Sequence, residues 1–111
     1  MLATHDEWAT APDFHVWVDV TADPPCVGVS GEIDLLTCAA FRDALMEAAE
    51  HASGIIAIDF RRVTFMGSTG IRELVLVLRT VKRIEARSPS PIVRRALEAA
   101  GLGRGVVLTK S

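Results

Sequence analysis

"VTFMGSTGI", Val63 to Ile71, carries an apolar, strand-like run straight into a small, hydroxyl-bearing turn flanked by glycines, and a helical pattern follows at once. Upstream, "GIIAIDF" (Gly54 to Phe60) is short, apolar and rich in β-branched residues, the mark of a strand buried on both faces in the middle of a sheet. Downstream, Ile71, Leu74, Val75 and Leu78 fall at i, i+3, i+4 and i+7, so a helix starts at the turn with Ser68 as its N-cap. A buried strand feeding a helix through a tight turn is a building unit of an α/β fold.

The flanking segments extend that unit. "FHVWVDV" (Phe14 to Val20) alternates Phe14, Val16, Val18 and Val20 against His15, Trp17 and Asp19, which predicts a half-buried strand. "TADPP" breaks it, and "CVGVSGEID" (Cys26 to Asp34) resumes an extended pattern that pairs most simply with the first strand as a hairpin. The period then changes. Phe41, Leu45 and Ala48 fall at helical spacing with Arg42, Asp43, Glu47 and Glu50 facing away, in a helix capped by Asp34 or Thr37. "VKRIEAR" (Val81 to Arg87) is a weaker strand. In "SPSP", Ser90 is an N-cap and Pro91 a first helical residue; that helix offers Val93, Leu97 and Ala100 to the core and stops at Gly101. Val106 to Leu108 close as a last short strand.

At 111 residues, half of them hydrophobic and only 5% aromatic, the chain is long enough for one aliphatic core without disulfides or a metal. Cys26 and Cys38 lie twelve apart with no histidine at a metal spacing, so both read as buried thiols. The first residues show no basic leader and no apolar core of a signal segment, and no apolar run reaches the roughly 18 residues a membrane helix needs. Residues 1–12 are expected to be a flexible tail, residues 13–111 one domain, and the protein soluble and cytoplasmic, without cofactor or metal.

Charge is unevenly laid along the chain. Residues 1–59 hold eleven of the fourteen acids and one of the twelve bases, Arg42, and residues 60–111 reverse the balance. If the later elements share a face, a basic patch meets an acidic partner or nucleic acid. If strands of the two halves intermix, the charges pair across the surface. The second arrangement is the expectation, with no direct contact to nucleic acid or membrane.

Three chemistries suit hydroxyls held at the GSTG turn. Catalysis by an α/β-hydrolase elbow needs G-x-S-x-G, and Met66 stands where the first glycine belongs. His5, His15 and His51 lie in the tail, on an early strand and at a helix end, so no base is brought to Ser68, and an enzyme is not expected. Glu32 and Asp34 read as solvated acids at a sheet rim rather than a general acid/base pair. A phosphate cradle would use the free N–H groups at Gly67, Ser68 and Thr69, but the lysine and long glycine run of a nucleotide loop are missing. A hydroxyl that itself receives phosphate fits best. The added group, of about −1.5 to −2 charge, is welcome at a helix start and hostile to a fitted partner. The plain alternative is a hydroxyl that caps the helix and does nothing else.

"VSGEIDLLTCAAFRDAL", "IDFRRVTFMGSTGIRELV" and "SPSPIVRRALEAAGL" resemble successive blocks of a STAS domain of the anti-sigma factor antagonist type, over Phe14 to Leu108. The resemblance implies an α/β fold with an about four-stranded mixed sheet, an additional N-terminal strand and helices mainly on one face. It implies a bacterial partner switch: the unmodified domain binds an anti-sigma factor that is also a serine kinase, phosphorylation ends the binding, and a phosphatase restores it. Ser68 matches the phosphorylated position, with Thr69 the adjacent hydroxyl. Gly31, Glu32, Ile33 and Asp34 match a loop near that turn, and Asp59, Val63, Phe65 and Gly70 fit the strand block and helix start. The implied partner surface comprises the loop from Glu32 to Leu36, with Glu32, Ile33, Asp34 and Leu35, the turn Gly67, Ser68, Thr69 and Gly70, and a helix face with Arg72, Glu73 and Arg79.

Two departures stand out. Gly67 replaces the aspartate common before the phosphorylated serine, and the segment before "SPSP" is short and lacks its glycine turn, which trims the second helix. A STAS domain that docks on a larger assembly without being phosphorylated, and a STAS module that binds a small ligand or nucleotide, both remain open. So do a monomer and a weak dimer.

Overall fold

The structure, a computed structural model, describes residues 5–11 and 13–110. Six strands form one sheet: β1 (His5–Ala11), β2 (Phe14–Asp19), β3 (Cys26–Ile33), β4 (Ile55–Met66), β5 (Arg83–Arg87) and β6 (Val106–Thr109). Three helices connect the later ones: α1 (Cys38–Glu50), α2 (Ser68–Val77) and α3 (Pro91–Ala100). Spatial order equals chain order from β1 to β6. The β1–β2 and β2–β3 pairs are antiparallel; β3–β4, β4–β5 and β5–β6 are parallel. Right-handed crossovers that all step the same way across a sheet lay their helices on the same face. Accordingly α1, α2 and α3 cover one core with Val16, Val18, Val27, Val29, Ile56, Ile58, Ile84 and Ala86 beneath them.

Several expectations hold. The hairpin joins Trp17 to Gly28 and Val18 to Val27, Ile56, Ala57 and Ile58 in the central strand are fully buried, and Val106–Thr109 close the sheet. Ser90 caps α3, its Oγ accepting from the Val93 N–H, Pro91 is the first helical residue, and Gly101 ends the helix in the left-handed conformation at φ 62°.

The differences have physical causes. Residues 5–11 of the expected tail form β1, which covers the edge of β2; short acidic segments with one tryptophan carry little local strand signal, and pairing supplies what propensity does not. The rest of that tail lies outside the described residues. The first residue of α2 is Ser68 and its N-cap is Gly67, because β4 continues to Met66 and the single extended residue after it takes the cap position. On α2 Val77 is buried and Val75 is 43% exposed, the reverse of the spacing argument, since the groove beside α1 shifts the buried stripe by one residue. Ala100 is exposed at the end of α3. The halves of the chain do not intermix: acidic β1 to β3 lie on one side of β4, and β5 and β6 on the other.

The sheet face away from the helices is a row of half-buried side chains. Trp17 lies opposite Gly28, Gly28 opposite Asp59 and Asp59 opposite Arg87, while Arg87 pairs with Glu85 at 2.9 Å. A Cβ on Gly28 would fall inside the Trp17 indole, so this glycine is the floor on which the ring lies. Gly28→Ala therefore lowers stability by about 1 to 3 kcal/mol, and most of that loss vanishes in a Trp17→Leu background, a coupling that chemical denaturation of the four variants measures.

On the same face burial pushes the Cys26 thiol up, and Arg87 only partly offsets this. The folded state therefore holds the Cys26 proton more tightly than the unfolded chain. This contribution is present below the ordinary thiol value of 9.0 and is lost as pH rises through and beyond it. In a Cys38→Ala background, denaturation midpoints fall between pH 8 and 10, and a further Cys26→Ala change removes that slope.

Candidate functional site

Parallel pairing brings the C-terminal ends of β3 and β4 to one edge of the sheet, where ligand and partner sites of such sheets gather. Ile33 lies in register with Met66, and the Gly67 N–H donates to the Ile33 carbonyl at 2.9 Å. The two loops predicted to cooperate are thus joined by a backbone bond. A Cβ on Gly70 would stand 2.7 Å from Ile33 Cγ2 and 2.8 Å from Met66 Cγ, so the first turn of α2 sits directly on both strand ends.

The first loop is built by two polar side chains. Asp34 Oδ1 accepts from the Leu36 N–H at 3.0 Å and the Thr37 N–H at 3.2 Å. Thr37, almost fully buried, accepts from the Asp34 N–H at 2.9 Å and donates to the Glu32 carbonyl at 2.8 Å. Thr37 occupies the N-cap position of α1 yet makes no side-chain cap, because its hydroxyl is used to close the loop. Closed in this way, the loop pushes its two leucines outward: Leu35 is 76% and Leu36 79% exposed. Glu32 is exposed beside them.

At the second loop Ser68 is exposed, Thr69 half-buried and Gly70 buried. The Gly67 carbonyl accepts from the N–H groups of Gly70 at 3.0 Å and Ile71 at 3.3 Å, and no side chain caps α2. Phe65, expected only as part of the strand block, is 42% exposed just before the turn.

Arg72 on α2 is exposed as predicted. Arg79 is exposed too, but it lies in the turn two residues past the end of α2 at Val77 and not on the helix face, because the helix stops early. Glu73 is buried instead. It is 4% exposed and receives both Arg42 Nε and Nη2 at 2.9 Å, a bidentate clasp between α1 and α2. The clasp, first by its hydrogen bonds and then by the carboxylate's charge, holds the Arg42 guanidinium above its ordinary pKa. The helical spacing puts Arg42 on the solvent face of α1; instead its side chain, half exposed, reaches across to Glu73. The signal that could have found it is compositional: a lone base among fifty-nine residues is an odd choice for a face full of acids. Phe65 carries a signal of its own, a large apolar group beside a turn.

Gly67 has φ −85° and ψ −179°, extended backbone open to any residue, and a Cβ there meets nothing nearer than Phe65 Cε2 at 3.4 Å. An acid at this N-cap accepts from the free N–H groups and faces the positive end of the helix dipole. Gly67→Asp therefore stabilises the domain by roughly 0.5 to 1 kcal/mol, read as a raised denaturation midpoint that shrinks when the acid is protonated.

A family model described as "Mlab, STAS domain" matches residues 16–109. An anti-sigma factor antagonist from Mycobacterium paratuberculosis superimposes with a TM-score of 0.74 at 28% identity, over 93% of this chain and 92% of that one. The anti-sigma factor antagonist SpoIIAA in its unphosphorylated form gives 0.70 at 22% identity, over 86% and 89% of the two chains. The phosphorylated form of SpoIIAA from Bacillus gives 0.64 at 22% identity, over 86% and 92%. Among curated proteins no significant match exists. With most of β2 and all of β3 through β6 inside the matched residues and the same architecture in those structures, this chain belongs to the STAS domain family.

Proposed function

We propose that the domain is an anti-sigma factor antagonist, a non-enzymatic cytoplasmic protein that binds an anti-sigma factor with serine kinase activity and is switched by phosphorylation of Ser68. One observation carries this reading. Ser68 is exposed at the first position of α2, and that turn is bonded through Gly67 to the loop that displays Leu35 and Leu36. A partner that covers the two leucines lies against the serine as well.

The physical consequence of a phosphate there is asymmetric. For the domain alone it is mild, since a negative group at a helix start is favoured by roughly 0.3 to 1 kcal/mol. For the complex it is severe, since a doubly charged group must be desolvated within a contact that includes two leucines. Removal by a phosphatase restores the neutral surface. The likeness to structures described as anti-sigma factor antagonists, one of them in both phosphorylation forms, supports the same reading. No helix among the described residues is long and apolar enough to cross a membrane.

Gly67 favours a second reading. Without the acid before Ser68, a kinase that reads it loses a determinant, and the domain becomes a constitutive docking piece in a larger assembly.

Incubation with ATP and each anti-sigma kinase of the host, followed by intact mass measurement, separates the two. One phosphate on the wild type and on Thr69→Ala, and none on Ser68→Ala, is the expected outcome. A complex that survives gel filtration with no phosphate added supports constitutive docking and refutes the switch. Neither complex nor phosphate refutes both.

A further inference from the structure

A groove runs between α1 and α2, away from the GSTG turn. Two adjoining pockets of about 330 and 260 Å³ make it up, and both include Arg42, Glu73 and Leu76. The first begins at Leu35 and Thr69, the N-terminal ends of the two helices; the second ends at Met46 and Thr80, near their C-terminal ends. The groove therefore follows the helices for about 12 Å, the eight helical steps of α1 from Cys38 to Met46.

Its chemistry is two-fold. Leu35, Leu76 and Met46 are exposed at its beginning, middle and end, with Leu76 37% and Met46 45% accessible. Arg42, Arg72 and Arg79 line it, against a single carboxylate, Glu73, that is already committed to Arg42. Two positive charges are left over. The walls are helices whose backbone groups are paired internally, so the groove offers no strand edge to an extended peptide. Three apolar points along two turns' length, flanked by unbalanced arginines, match one face of an amphipathic helix with acidic flanks.

We propose that this groove docks an acidic amphipathic helix of the binding partner, seated over about two turns, with the Arg42–Glu73 clasp as its floor. The inference rests on the proposed partner switch and deepens it. The Ser68 turn decides whether the partner stays, and the groove supplies affinity and selects partners by charge. Arg42 serves in the floor, while Arg72 and Arg79 remain free for the partner's carboxylates.

The test uses the whole chain and a hydrocarbon-stapled helical peptide with leucines at i, i+4 and i+7 flanked by glutamates. A companion peptide carries lysines in place of the glutamates. Methyl and amide shifts of Met46, Leu76 and Arg79 should saturate with the acidic peptide, and binding should be at least about tenfold weaker for the lysine peptide and for Leu76→Asp or Arg79→Glu. Equal binding of both peptides overturns the proposal, as does absence of saturation up to about 1 mM, or shifts confined to the open sheet face. Shifts at the groove that grow with protein concentration alone assign it to a second copy and overturn it too. Ser68 phosphorylation is read separately by mass. A domain that is phosphorylated but ignores the peptide refutes the groove and spares the switch, and a domain that takes the peptide but no phosphate does the opposite.

Discussion

The parallel pairing of β3 with β4 is the constraint on which the rest depends. It joins an antiparallel hairpin to a run of parallel crossovers, and it makes both strands end at the same edge. Without it the Glu32 to Leu36 loop and the GSTG turn would be unrelated pieces of surface. With it, one backbone bond from Gly67 to Ile33 sets their separation, and the small volume of Gly70 lets α2 settle on Ile33 and Met66. The site is a product of strand register, in which side chains take part only after the backbone has brought the loops together.

Much of this was legible in residue patterns, and the exceptions are instructive. The hairpin, the central strand and the Ser90, Pro91 and Gly101 signals are local, and local physics decides them. The STAS resemblance implied the one-sided helices, which residue patterns alone could not, since sheet order is a non-local property. The N-cap of α2 was misplaced by one residue because Ser68 is intrinsically the better cap, and β4 simply runs longer than its apolar stretch suggests. Glu73 looked like a surface charge for a related reason. Its burial is explained by Arg42, thirty-one residues earlier, and no window along the chain contains both.

That clasp also shows how a buried charge can be accommodated without a polar core. Glu73 turns inward between two helices, but its partner stays half in water, so only one of the two ions bears most of the desolvation. Two parallel N–H bonds fix the carboxylate's orientation, and with it the rotation of α2 about its axis. The face that carries Thr69, Arg72 and Leu76 is thereby held toward the groove. Thr37 does the corresponding work at the other loop, trading the capping of α1 for a rigid display of two leucines.

Because the sheet keeps the strands in chain order, the uneven charge of the sequence becomes a spatial gradient. Acidic Asp43 and Glu50 on α1 lie toward one flank, and on α3 Arg94 and Arg95 outnumber Glu98 toward the other. The molecule measures 37 Å along its longest axis, several times the roughly 8 Å over which physiological salt screens a field. A net charge of −2 thus hides a molecular dipole, and an approaching charged surface exerts a torque on the domain before any contact forms. Orientation in the encounter is written into strand order as much as into the residues that finally touch.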